Sequence, residues 1–166
     1  MVRCIAIDDE PLALRQIKSY IERTEQLELV AVYRSALEAQ EILKTTSVDL
    51  IFVDINMPDM NGLDFVRSID TKNYIVFTTA YGEFALEGFK LNAIDYLLKP
   101  FSYEEFMKAT QKVISLVDLV ERCHAAESAI AQNEAEKGTD KEVISVKADY
   151  KTQLVKVADI VYLESA

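Results

Sequence analysis

Residues 50–62 read LIFVDINMPDMNG, and this stretch sets the reading of the whole chain. Four apolar residues, Leu50 to Val53, run unbroken into a carboxylate, Asp54. The chain then passes through Ile55, Asn56, Met57 and Pro58 before a helical pattern opens at Gly62. A short uninterrupted apolar run suits a parallel strand covered on both faces. Working outward, the same design opens the chain: VRCIAI at 2–7 ends in Asp8, Asp9 and Glu10. Further strand candidates rich in Val, Ile, Phe and Tyr lie at 29–33, 74–78 and 93–98. Amphipathic segments at 11–24, 36–45, 62–70, 83–90 and 102–122 alternate with them. Pro11 stands where a first-turn proline is tolerated, and Ser102 with Glu105 makes a capping-box start. Five strands alternating with five helices predict a doubly wound, five-stranded parallel α/β sheet with helices on both faces.

Beyond residue 122 the pattern changes. The segment 123–140 is rich in Ala and Glu, with Gly138 as its first breaker, and reads as the last helix continuing into a linker. From 141 to 166 the sequence predicts two or three short strands with a turn at 148–151. Such a short C-terminal β fragment cannot bury a core alone and reads as the start of a second domain. The expected organisation is therefore 1–122, 123–140 and 141–166.

The 166 residues carry 18 Lys or Arg against 28 Asp or Glu, a net charge of −10. That length allows one domain, or one plus a fragment. The acidic balance argues against electrostatic capture of nucleic acid or of an anionic membrane, and fits a cation site or a basic protein partner. The excess lies in residues 1–140, whereas 141–166 is neutral. Cys4 and Cys123 belong to no metal-like or redox-like cluster, and a single histidine, His124, excludes a His-rich zinc site. The opening apolar run stops at once in three acids, so no signal peptide is read, and no run is long enough to span a bilayer. The expected location is the cytoplasm.

In an open parallel sheet, ligands bind outside the carboxyl ends of the strands. The first strand delivers Asp8, Asp9 and Glu10 there; the third delivers Asp54; the fourth delivers Thr78 and Thr79; the fifth delivers Lys99 and Pro100. The second ends at Tyr33, Arg34 and Ser35, with nothing obviously chemical. Clustered carboxylates repel unless a cation sits among them, and hard oxygen donors suit Mg²⁺. A lysine and a hydroxyl facing the same point would bind phosphoryl oxygens. Asp54 then reads as a carboxylate nucleophile able to form an acyl phosphate.

These residues resemble a response-regulator receiver domain. The resemblance covers residues 1 to about 122: the acidic pair Asp8–Asp9, the VDINMPDMNGLDF segment around Asp54 with Pro58 and Gly62 in register, Thr79-Ala80, and Lys99-Pro100. It implies a flavodoxin-like sheet in the order 2-1-3-4-5. It further implies that Asp54 is the phosphoacceptor and that Asp9, Asp54 and the main-chain carbonyl of Asn56 ligate Mg²⁺, with Asp8 acting largely through water. Thr79 and Lys99 would contact the phosphoryl oxygens, Lys99-Pro100 would be a cis peptide, and Tyr96 falls at an aromatic switch position. FTTAYGEFALEGFKLNAIDYLLKPF, together with the ISVKADYK and VADIVYLES segments, is similar to the LytTR (LytR/AlgR-type) subfamily. There the receiver precedes a mostly β DNA-binding domain. Only the beginning of that domain is expected here, with its DNA-reading segments beyond Ala166.

The resemblance implies a switch rather than a turnover enzyme. A sensor histidine kinase would supply the phosphoryl group. The surface of the fourth helical segment, fifth strand and fifth helical segment would respond, with a homodimer on activation. DNA would be touched only through the rest of the second domain, and no membrane is involved. Three rivals stand beside this reading. A haloacid-dehalogenase-type phosphatase normally has a second Asp where Asn56 stands. A flavodoxin needs a phosphate cradle where Asp8-Asp9-Glu10 lies. A phosphate-independent pseudo-receiver is at odds with the complete Asp8, Asp9, Asp54, Thr79 and Lys99 set.

Overall fold

The computed structural model describes residues 1–69, 72–81, 91–137, 143–148 and 151–156. In chain order these form β1 (Val2–Ile7), α1 (Pro11–Glu22), β2 (Leu27–Tyr33), α2 (Ala36–Leu43), β3 (Leu50–Asp54) and α3 (Gly62–Ser68). They are followed by β4 (Tyr74–Thr79), β5 (Asp95–Leu98), α4 (Tyr103–Lys137), β6 (Val143–Ala148) and β7 (Lys151–Lys156). The helical segment expected at 83–90 lies outside the described residues. The chain divides into two compact units, Met1–Asp118 and Leu119–Ala166.

In the first unit all the strand pairs are parallel, in the order β2-β1-β3-β4-β5. Side chains alternate across a strand, so each strand feeds two cores. Cys4, Ala6, Phe52, Val76 and Leu97 meet Leu14, Ile17 and Ile21 of α1 and Phe106 and Val113 of α4. Ile5, Ile7, Ile51, Val53, Ile75 and Phe77 meet Ala36 and Ala39 of α2 and Leu63, Phe65 and Val66 of α3. The doubly wound arrangement follows from that apolar content on both faces. Between β1 and β2 the register shifts by one residue at Cys4/Ile5: Cys4 pairs with Leu29 but Ile5 with Ala31, leaving Val30 as the extra residue.

The helix starts obey their local chemistry. Pro11 opens α1. Ser35 caps α2 by accepting from the Glu38 amide, and Asn61 caps α3 by accepting from the Leu63 amide. At α4 the capping box is complete: the Ser102 hydroxyl accepts from the Glu105 amide at 3.2 Å, while the Glu105 carboxylate accepts from the Ser102 amide at 2.7 Å. The Glu105 carboxyl is held below its usual range by the bonds it accepts from the Ser102 amide and hydroxyl. α4, the fifth helical segment of the sequence reading, runs on to Lys137, just before Gly138. In the second unit β6 and β7 form an antiparallel pair whose ladder closes at Ala148 and Lys151.

Candidate functional site

The parallel sheet brings the carboxyl ends of β1, β3 and β5 to one rim. Asp8, Asp9, Glu10, Asp54, Asn56, Ala80, Tyr81 and Lys99 line a cleft of about 380 Å³ there. Asp8, Asp9 and Asp54 each offer a carboxylate oxygen, and these lie within 4.8 Å of one another. A larger groove of about 680 Å³ runs between β5 and α4, past Tyr96, Leu98, Lys112 and Ser115. Among the described residues, the three-carboxylate convergence lies in the smaller cleft.

Lys99 ties the acids together. Its ammonium donates to Asp8 Oδ2 at 2.6 Å and to Asp54 Oδ1 at 2.9 Å. Burial opposes the charge on Lys99, but hydrogen bonds and attraction from Asp8 and Asp54 outweigh it and hold the ammonium protonated. The approach of Lys99 is set on both sides. Its amide donates to the Thr79 carbonyl at 2.6 Å, the Lys99–Pro100 peptide is cis, and Phe101 beyond is buried. The Phe101 carbonyl accepts from Gln16 Nε2 of α1 at 2.9 Å.

Asp8 is wholly buried, and burial pushes its carboxyl above the usual range despite the pull of Lys99 and the Glu10 amide. Its Oδ1 accepts from the Glu10 amide at 3.0 Å. Asp54 is 4% exposed, and its second oxygen accepts from the Asn56 amide at 2.9 Å. Both of its oxygens are thus oriented. Pro58 lies four residues past Asp54 in the β3–α3 loop, and Gly62 returns that loop to the strand by donating its amide to the Ile55 carbonyl at 2.8 Å.

Thr79 ends β4 beside the cleft; it is buried, and its hydroxyl accepts from the Tyr81 amide at 3.2 Å. The Tyr96 hydroxyl donates to the Tyr81 carbonyl at 3.3 Å, and its ring packs 6.3 Å from Phe77. Partial burial raises the Tyr96 phenol, with the Thr79 hydroxyl pulling the other way. Thr79 and Tyr96 therefore both hold the backbone of Tyr81.

The end of β2, where sequence reasoning saw no chemistry, holds three successive residues that reach the rim. The Tyr33 carbonyl accepts from the Asp8 amide at 3.0 Å. Arg34 donates from Nε and Nη2 to the Asp9 carbonyl at 3.3 and 3.2 Å. The Ser35 hydroxyl donates to Asp59 Oδ2 at 2.6 Å, and that oxygen also accepts from the Leu37 amide. Burial disfavours the Asp59 charge, but these bonds and those from the Met60 and Asp59 amides together outweigh it and hold its carboxyl below the usual range. No sequence spacing marks these partners, because two of the three acceptors are main-chain carbonyls.

The sequence matches the response regulator receiver domain family over residues 4–111. Among curated relatives, the sensory transduction protein LytT of Enterococcus faecalis is 34% identical over 164 residues, covering 97% of this chain and 64% of its own length. The sensory transduction protein LytR of Staphylococcus saprophyticus is 30% identical, covering 96% of this chain and 65% of its own length. The chain thus spans a little under two thirds of these relatives. The response regulatory domain of mrkE from Klebsiella pneumoniae superposes with a TM-score of 0.67 at 32% identity, over 71% of this chain and 99% of that one. TrrA from Thermotoga maritima, solved in complex with Mg(2+)-BeF, gives a TM-score of 0.61 at 26% identity, over 68% and 99%.

Proposed function

Because the chain belongs to the response regulator receiver domain family, we propose that it is the phosphoacceptor switch of a two-component system, with Asp54 as the acceptor. The observation that carries this reading is the setting of Asp54. It is nearly buried at the end of β3, with one oxygen on the Lys99 ammonium and the other on the Asn56 amide.

The residues fit Mg²⁺. The donors are hard oxygens, three carboxylates converge, and burial already weighs against ionising Asp8, a cost that a cation relieves. Asp9, Asp54 and the main-chain carbonyl of Asn56 would hold it, with Asp8 acting through water. When bound, the ion supplies charge neutralisation for the oxygens in transfer.

An Asp54 oxygen attacks the phosphorus of a phosphohistidine on a sensor kinase. The new P–O bond forms as the P–N bond breaks, and the imidazole nitrogen keeps the electron pair. Lys99, already protonated, stabilises the charge on the transferred oxygens. Drawing the Thr79 hydroxyl toward the phosphoryl group frees the Tyr81 amide it now holds, and Tyr96 follows into the space. The change reaches the surface around β5 and α4, where Leu98 and Leu116 are exposed, and favours a homodimer. This is signalling, not turnover of an external substrate.

The LytT and LytR relatives support a transcription-regulating output. On this reading residues 1–122 are the receiver, 123–140 the helical linker, and 141–166 the start of a LytTR-type domain that contacts DNA. Among the described residues no helix is long and apolar enough to cross a membrane, and we place the protein in the cytoplasm. Acetyl phosphate with Mg²⁺ should add one phosphoryl mass to the chain. An unchanged mass, or a gain that persists in Asp54→Asn, defeats the reading.

A further inference from the structure

We propose that Arg34 and Ser35 are positioning residues for the cation site, forming a clasp that ties its two ligand-bearing loops to one fixed point at the end of β2. The proposal rests on the reading of the cleft as a Mg²⁺ site.

The ligands come from separate segments. Asp8 and Asp9 lie between β1 and α1, whereas Asp54 and Asn56 lie where β3 passes toward α3. Each loop bonds to one of two adjacent residues. Arg34 holds the Asp9 carbonyl through two guanidinium nitrogens, and Ser35 holds the carboxylate of Asp59, three residues beyond Asn56. Asp59 in turn accepts from the Leu37 amide, so it also fixes the first turn of α2. The clasp itself stands on the sheet, because the adjacent Tyr33 carbonyl accepts from the Asp8 amide. Pulling on either loop therefore pulls on the other through Arg34–Ser35.

Charge alone predicts the opposite effect. A guanidinium beside a cation site repels the cation, so removing it should tighten Mg²⁺ binding. If its bonds to the Asp9 carbonyl preset the loop, removing it should weaken binding, because the ordering must then occur when the ion arrives. The two roles differ in sign.

The test is Mg²⁺ affinity, followed by amide chemical shifts of Asp9, Glu10 and Asn56 during titration with MgCl₂, on the wild type and on Arg34→Met, Arg34→Gln and Asp59→Ala. Urea unfolding of each variant runs alongside. Arg34→Met should bind Mg²⁺ about three- to tenfold more weakly, the scale of losing a hydrogen-bonded brace. Its unfolding midpoint should barely move, since Arg34 is exposed. Arg34→Gln, neutral but still a donor, should recover part of the loss. Asp59→Ala should weaken binding too, and its loss should not add to that of Arg34→Met in the double variant. Equal or tighter binding by Arg34→Met, no recovery by Gln, or strict additivity overturns the clasp. Failure of the wild type to bind Mg²⁺ overturns the underlying reading, and the clasp with it.

Discussion

Gly62 is seated against the main-chain carbonyl of Asp54. A β-carbon built on Gly62 would overlap that oxygen and stand 3.0 Å from both the Asp54 carbonyl carbon and the Ile55 Cα. All three are backbone atoms, which cannot swing aside as the end of a flexible side chain could. Gly62→Ala must therefore displace the end of β3 itself. It should cost about 2 kcal/mol or more in urea unfolding, the upper range of overpacking. The amide signals of Asp54 and Asn56 should move even where the fold survives.

Lys99→Met leaves the Asp8 and Asp54 carboxylates, whose side chains are 0% and 6% exposed, without their shared ammonium. Removing one partner of a buried pair strands the other charge. The cleft opens to water, so a loss of roughly 2 kcal/mol is expected rather than the larger cost of a sealed site. Millimolar MgCl₂ should raise the melting temperature of Lys99→Met more than that of the wild type, since the ion then supplies the missing positive charge. Equal shifts in the two proteins would count against this balance of charge.

Thr78 is fully buried on β4, paired in register with Asp54, and its hydroxyl has no hydrogen-bond partner among the described residues. A buried, unpaired hydroxyl carries a desolvation cost with no return. Thr78→Val keeps the shape and removes that cost, so it should stabilise the receiver by about 1 kcal/mol in chemical denaturation. Thr79→Val, one residue on, should instead release the Tyr81 amide and destabilise.

Cys4 predicts a pH dependence. Burial in β1, with smaller contributions from Glu28 and Asp49, pushes its thiol up to about 12. Its thiol donates to the Glu28 carbonyl at 3.4 Å. A folded pKa raised above the unfolded value gives stability that is complete below the unfolded pKa and is lost as pH rises. Cys4 should therefore cost about 1.4 kcal/mol per pH unit between roughly pH 8.5 and 12. Comparing Cys4→Ala with the wild type at pH 8 and pH 10 isolates this slope. Iodoacetamide at pH 8 should label exposed Cys123 and spare Cys4 until the chain unfolds.

The residues whose convergence was legible in the sequence are those at strand ends. Asp8, Asp54 and Lys99 each follow an apolar run, and parallel strands deliver their ends to one rim whatever the detail of the loops. Thr79 and Thr78 were harder, because adjacent strand residues take opposite faces and a run of two hydroxyls does not say which one serves the site. The structure gives Thr79 the Tyr81 amide and leaves Thr78 in the core. Helix α1 stops at Glu22, short of the expected 24, where the Thr24 hydroxyl turns back to donate to the Tyr20 carbonyl. Arg34 and Gln16 were invisible for a physical reason. Both donate to main-chain carbonyls, of Asp9 and Phe101, and every residue carries such a carbonyl. Only the three-dimensional approach selects the partner.

The one-residue slip between Cys4 and Ile5 has a further effect at the border of the sheet. Strand β2 is one border, and an unbroken border strand is a template on which another molecule's strand can lie down. With Val30 as an extra residue, β2 presents two short stretches out of phase with each other, so a foreign strand loses its pairing partway along. The opposite border, β5, has only four residues. A sheet built largely of Ile, Val, Phe and Leu thus ends on both sides in borders poorly suited to growth. Neither border offers a long, in-phase row of free backbone groups to a neighbouring strand.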